Sequence, residues 1–311
     1  MKRPLATAIV GRHYPDRSVT GVDPVPAGHR PTAVVRFAAH PPLVVQLSDS
    51  IESVRTEAAL VGAVRSRTDV PVPPVLATGR HDGRAYTVSE FRPGRDLHTT
   101  FADSDPGTRR AIAGQFGEYL GELHATFTFE GSGELERASG RDTDLVVAGP
   151  DRDHWLAEYG RLAIERLPPD FDPLRDRLRD CLAAAAVGAA TPRLFPWDLR
   201  PGNALLTDGA VSAVLDWERP MAAPPGLALS KVSYLVADWY VDEPAPLRAA
   251  FRAGYETVRS VPTVRPIHRV VAVADTAVDS RGAVTTPGYP ERDDAAAVAF
   301  HRRALTAALD E

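Results

Sequence analysis

The chain predicts an α+β fold of two lobes: an N-terminal antiparallel sheet with one helix, then a mainly helical lobe that carries a β-hairpin. Three observations predict it. Short β-rich runs crowd the first ninety residues, helix-spaced apolar residues fill most of the remainder, and one strand–turn–strand interrupts the helices at 204–215. The expected division is 1–90 for the first lobe, 91–97 for a hinge and 98–311 for the second lobe.

The elements follow in order. Two β-rich runs, 19–25 and 32–37, flank Pro26-Ala27-Gly28-His29-Arg30-Pro31, and 43–47 is a third strand set off by Pro41-Pro42. Ile51, Val54, Ala58, Val61 and Val64 recur at helical spacing. Two further strands, 75–78 and 85–89, surround the turn His81-Asp82-Gly83. The stretch from Glu90 to Leu97 contains Pro93-Gly94, which marks a lobe boundary. Beyond it, Ile112, Phe116, Tyr119, Leu120 and Leu123 form one face of a helix over 106–126. The polar, glycine-containing stretch 131–152 reads as a loop or lid. Helices are expected over 155–167, 173–187, 227–240, 246–258, 266–278 and 294–309.

Composition narrows the function. Among 311 residues, 44% are hydrophobic and 25% charged, as in ordinary soluble globular proteins. A net charge of −5 speaks against a nucleic-acid partner, which calls for a basic patch. No apolar run reaches transmembrane length and no signal-like segment opens the chain, so a cytoplasmic protein with no membrane partner is expected, as a monomer or homodimer. Cys181 is the only cysteine, which excludes an internal disulfide or a cysteine metal cluster. Only two lysines occur, Lys2 and Lys231, so arginine supplies nearly all the positive charge.

The chemistry concentrates in Phe195-Pro196-Trp197-Asp198-Leu199-Arg200-Pro201-Gly202-Asn203 and in Val214-Leu215-Asp216-Trp217-Glu218. Pro201-Gly202 forces a turn between Asp198 and Asn203. A hairpin through Thr207-Asp208-Gly209 would then return Asp216 beside them. One group can orient a hydroxyl while the other two hold Mg²⁺, which prefers oxygen ligands and shares its shell with phosphates.

These segments resemble the catalytic and metal-binding motifs of the aminoglycoside phosphotransferase and choline kinase family, small-molecule kinases with a protein-kinase-like fold. The resemblance implies ATP and Mg²⁺ as cofactors and a hydroxylated small molecule as substrate. It implies Asp198 as the catalytic residue and Asn203 and Asp216 as metal ligands. It also implies an adenine-binding hinge that uses the Ser89 carbonyl and the Phe91 amide, and Glu57 as the helix glutamate that pairs with a phosphate-binding lysine. His124, in Leu123-His124-Ala125, resembles a recurrent family element but reads as structural rather than catalytic.

The chain departs from the family in several places. His-Gly before the catalytic Asp is replaced by Pro196-Trp197, and the family's Gly-Asp-Pro by Ala223-Pro224-Pro225. Most consequential, the lysine position on the third strand holds Gln46, which can bond a phosphate but brings no charge. Arg30 or Arg36 could supply that charge from a neighbouring strand, although alternation suits Arg36 to a solvated position. The loop around Gly28 could cover the phosphates. Trp217 and Glu218 read as supporting residues.

Three functions remain in view: a small-molecule kinase, a pseudokinase that binds a ligand or partner without efficient transfer, and a metal-dependent hydrolase, for which further histidines or acids are lacking. Asp238, Asp242 and Glu243 with Trp239 and Tyr240 would suit a cationic acceptor, but read as an exposed helix end. Nothing in the chain points to antibiotic resistance.

Overall fold

The computed structural model describes residues 1–26, 30–138, 144–149, 154–184, 190–279, 281–284 and 294–311. A helix that the periodicity did not reveal comes first: α1, Arg3–His13. Strands β1 (Val19–Val25), β2 (Thr32–Phe37) and β3 (Leu43–Ser48) follow, then α2 (Ile51–Arg67) and strands β4 (Val75–His81) and β5 (Arg84–Glu90). The five strands form one antiparallel sheet in the order β1-β2-β3-β5-β4. Ala6, Ile9 and Val10 of α1 pack on Val35, Val45 and Val88 of the sheet, and His13 Nε2 meets the Tyr86 hydroxyl at 2.8 Å. Helix α2 starts where the Ser50 hydroxyl accepts the Ser53 amide at 3.1 Å, an N-cap worth about 1 kcal/mol.

The second lobe opens with β6 (Arg95–Asp96), α3 (Leu97–Thr100) and α4 (Pro106–Thr126). Asp105 caps α4 by accepting the Gly107 and Thr108 amides at 2.9 and 3.0 Å. The expected lid is in part a β-hairpin, β7 (Gly133–Arg137) with β8 (Leu145–Val147), while 139–143 and 150–153 lie outside the described residues. Leu135 is buried in the core, and that cross-strand packing was hidden by the polar neighbours along the strand. Helices α5 (Trp155–Glu165) and α6 (Asp172–Ala183) precede β9 (Arg193–Phe195).

The central hairpin is β10 (Ala204–Thr207) with β11 (Ala210–Val214), and β10 also pairs with β6. After β12 (Met221–Ala223) come α7 (Pro225–Ser233), a π-helical turn over Tyr234–Asp238, α8 (Ala245–Val258), α9 (Pro266–Thr276) and α10 (Asp294–Leu309). β12 joins β7, β8 and β9 in a second small sheet. Among the described residues, no helix is long and apolar enough to cross a membrane.

Helices α4 and α8 cross so closely that a Cβ on Gly117 or Gly254 would strike the backbone of Phe251 or Gly114. At the end of that crossing, His124 is fully buried and its Nδ1 meets the Tyr255 hydroxyl at 2.8 Å. Its carbonyl accepts from Arg193 and Arg259 at 3.0 and 2.6 Å, so His124 is the structural residue expected. Burial, and then the two arginines, lower its pKa to about 3.

A neutral buried histidine makes stability depend on pH. The folded value lies below the ordinary value, so as pH falls the unfolded chain takes up a proton first, and stability is lost from about pH 6.5 downward. In urea titrations, the advantage of the wild type over His124→Gln is therefore expected to shrink by up to about 1.4 kcal/mol per pH unit below about pH 6. An advantage that stays constant through that range would mean that His124 is protonated in the folded protein.

Candidate active site

The site is built at the end of β9. Pro196 and Trp197 carry the chain from Phe195 to Asp198, a short 3₁₀ turn over Pro201–Asn203 leads into β10, and β11 brings Asp216 back alongside. The Leu215 amide donates to the Asn203 carbonyl at 2.7 Å and closes the base of the hairpin. The three residues singled out by spacing are thus brought together.

Their bonds divide the work among them. Asn203 Nδ2 donates to Asp198 Oδ2 at 2.7 Å and to the Asp198 carbonyl at 3.0 Å, which leaves the Asn203 side-chain oxygen for another partner. Arg200 Nε donates to Asp198 Oδ1 at 2.9 Å. Beneath it lie Trp239, whose ring centroid is 5.6 Å from the guanidinium carbon, and the Tyr240 phenol. A Cβ on Gly202 would stand 2.5 Å from the Arg200 guanidinium and 3.0 Å from the Tyr240 hydroxyl, so glycine leaves the room that Arg200 needs.

Asp216 has φ +60°, a left-handed conformation that costs a non-glycine residue about 1–3 kcal/mol. The Leu215–Asn203 bond holds it on one side, and the buried Trp217, whose indole donates to the Val214 carbonyl at 3.0 Å, holds it on the other. Asp216 opens onto the cleft, yet its pKa is pushed up to about 7. The crowding of surrounding atoms is the main cause, followed by the negative charges of Glu218, Asp198 and Glu57.

Across the cleft, Arg30 donates to Glu57 Oε2 at 2.7 Å and to Glu218 Oε2 at 2.7 Å. Burial opposes its charge, but Glu57, Glu218 and Asp216 outweigh that and hold its pKa up. Glu57 is nearly buried, and burial raises its carboxyl despite Arg30. Gln46 sits on β3 between Thr32 of β2 and Thr87 of β5, two residues in register from Arg30. The positive charge next to Glu57 therefore comes from the segment leading into β2. Arg36 instead pairs with Asp23 at 2.6 Å on the exposed outer edge. Lys231 is buried against Asp275 and does not reach the Glu57 region. Glu218, expected only to support, is a direct partner of Arg30.

Two expectations are revised and one lies outside the structure. Ser89 stands between Val44 and Val75, but the Phe91 amide donates to the Pro42 carbonyl at 3.3 Å, because the chain leaving β5 stays paired with the segment before β3. Asp238, Trp239 and Tyr240 are buried rather than an exposed helix end. The π-helical turn carries them inward, where Asp238 pairs with Arg248, and Tyr240 packs edge-on against Phe101 at 5.1 Å. Gly28 falls outside the described residues.

Sequence reading missed the pair Lys231 and Asp275, joined at 2.5 Å directly under Trp197. The signal was present: Lys231 is the only charge in α7 and Asp275 the only acid in α9, each among apolar neighbours, and a buried charge needs an opposite partner.

The fold has close solved counterparts. A thermostable mutant of the aminoglycoside phosphotransferase APH(4)-Ia in apo form superposes with a TM-score of 0.69 at 13% identity, over 99% of this chain and 98% of that one. Such a mutant in ternary complex with ADP and hygromycin B gives 0.65 at 12% identity, over 97% of each chain. The macrolide 2'-phosphotransferase MphH from Brachybacterium faecium gives 0.60 at 16%, over 99% and 98%. At these identities the likeness is one of fold. By sequence, no functionally curated protein matches. A family model described as the phosphotransferase enzyme family matches residues 22–267, a span that takes in both lobes and the Arg30, Asp198, Asn203 and Asp216 cluster, and the chain belongs to that family.

Proposed function

We propose that this phosphotransferase moves the γ-phosphoryl group of ATP to a hydroxyl of a small molecule, with Asp198 as the catalytic residue. The observation that carries this reading is the convergence of Asp198, Asn203 and Asp216 on one cleft, opposite a cation fixed on Glu57 and Glu218. Support also comes from the related structure that holds ADP and hygromycin B.

The residues present fit a divalent ion. Asp216 carries more negative charge around it than Arg30 neutralises, and the free oxygens of Asp216 and Asn203 are the hard donors that Mg²⁺ prefers. Among the described residues no three His, Cys, Asp or Glu groups form a complete metal cage, so the shell would be completed from outside the protein, as phosphate oxygens do. When bound there, Mg²⁺ would neutralise charge on the β- and γ-phosphates.

The chain's own residues supply the remainder. Asp198, held by Asn203 and Arg200, orients the acceptor hydroxyl and takes up its proton as the oxygen attacks phosphorus. Arg30 presents charge to the phosphates in place of the neutral Gln46, and Glu57 and Glu218 fix its position. The first lobe runs to about residue 90, before the linker at 91–97. The pseudokinase alternative rested on the missing charge at Gln46, and Arg30 removes its main support.

Mg·ATP is expected to raise the melting temperature of the wild type, and Asp198→Asn to keep that shift while its ADP formation drops by about a thousandfold or more. No shift of the wild type by millimolar Mg·ATP would end the kinase reading. Asp216→Asn separates the metal site from folding. Without Mg²⁺ at about pH 8 it should be at least as stable as the wild type, because it removes a carboxylate crowded by three others, and it should lose the Mg·ATP shift. A marked destabilisation of the metal-free variant would contradict that account of the cluster.

A further inference from the structure

Trp197 immediately precedes Asp198 and is held by side chains from three helices. Its indole N–H donates at 3.1 Å both to the Tyr159 hydroxyl on α5 and to Asp275 Oδ2 on α9. The same Asp275 oxygen accepts from Lys231 Nζ on α7 at 2.5 Å, and Arg166 donates to the other oxygen at 2.9 Å. The Lys231 ammonium also stands 4.3 Å from the centroid of the Trp197 ring and 5.7 Å from that of Phe195. Arg219 lies 4.7 Å from the Trp197 ring centroid. Lys231 is 2% exposed and Asp275 is 7% exposed.

Such an arrangement is expensive for packing alone. Taking an ammonium and a carboxylate out of water costs several kcal/mol per ion, of order what their attraction returns, and apolar residues of the same volume fill a core as well or better. What ions and an indole N–H supply, and apolar groups do not, is direction. Burial works against an ionised Asp275, but Lys231, Tyr159 and Arg166 outweigh it and hold its carboxyl below the usual range, so it is a fixed acceptor. Proline fixes φ at Pro196, the three helices fix the indole at Trp197, and Asn203 and Arg200 fix the carboxylate at Asp198. Three consecutive residues are thereby immobilised by different means.

We propose that Lys231, Asp275 and Trp197 form a positioning clamp for the Asp198 loop, which sets the rate of phosphoryl transfer and leaves nucleotide affinity alone. The proposal rests on the phosphotransferase reading for its kinetic half only. Displacement of a reacting group by about 1 Å costs on the order of a hundredfold in rate, so a loosened loop has a measurable effect. Lys231 and Asp275 are positioning residues here: Asp275 acts through Trp197, and Lys231 acts through Trp197 and by its charge beside Asp198.

Trp197→Phe tests the clamp, because it keeps a six-membered aromatic ring in the pocket and removes the indole donor together with the five-membered ring that carries it. Amide hydrogen exchange in 196–203 is expected to quicken by about tenfold, and the turnover rate for ADP formation from Mg·ATP to fall by about tenfold or more, with the KM for Mg·ATP within about twofold of wild type. Lys231→Met with Asp275→Leu, which removes both ions together, should behave in the same way, while Lys231→Arg alone should retain most of the rate. Exchange and rate both unchanged in Trp197→Phe would overturn the proposal, as would a change in only one of them. If the wild type forms no ADP with any acceptor, the phosphotransferase reading fails by itself, and the exchange measurement alone then decides whether the clamp holds the loop.

Discussion

The fork that Arg30 makes with Glu57 and Glu218 is the contact on which the geometry of the cleft depends. Glu57 belongs to α2, Glu218 to the turn after the central hairpin, and Arg30 to the segment entering β2, so one guanidinium ties three separate parts of the chain. Two acids this sheltered would repel each other and resist burial without a cation between them. A planar guanidinium suits this better than an ammonium, because its fork can serve two carboxylates at once. Arg30 supplies a cation there from the segment entering β2, so the proposed function does not require a charge at Gln46.

The same electrostatic reasoning separates the two cleft aspartates. Asp198 has a cation and an amide on its two oxygens. Asp216 faces three other carboxylates, and the nearest cation, Arg30, is already engaged by two of them. One carboxylate is therefore held by the protein and the other lacks full compensation. This difference in partners fits the roles proposed for them, Asp198 toward a proton and Asp216 toward a cation. The backbone reinforces the division, with Asp216 held at positive φ and Asp198 fixed by its neighbours in the loop.

Much of this was legible in the sequence because it is local. The Pro201-Gly202 turn, the hairpin through Asp208-Gly209 and the α4 face each follow from residues a few positions apart. Glu57 was legible through the resemblance to the family, on a helix that apolar spacing revealed. What escaped was set at long range. Helix α1 has little amphipathic contrast and is held by packing on the sheet, and β7 and β8 find each other across a polar stretch. Arg30 meets Glu218 across 188 positions, and Lys231 meets Asp275 across 44. Trp239 and Tyr240 looked exposed because the acids beside them did, until a π-helical turn carried them inward.

The most direct test of the account is calorimetric binding of Mg·ATP to the wild type, to Arg30→Met and to Arg30→Met combined with Gln46→Lys. A charge-assisted bond to phosphate contributes about 1.5–3 kcal/mol, so Arg30→Met is predicted to weaken binding by about tenfold to a hundredfold, and the added lysine to recover most of that loss. Binding by a folded Arg30→Met that equals the wild type would contradict the claim that Arg30 carries the phosphate-binding charge of this site.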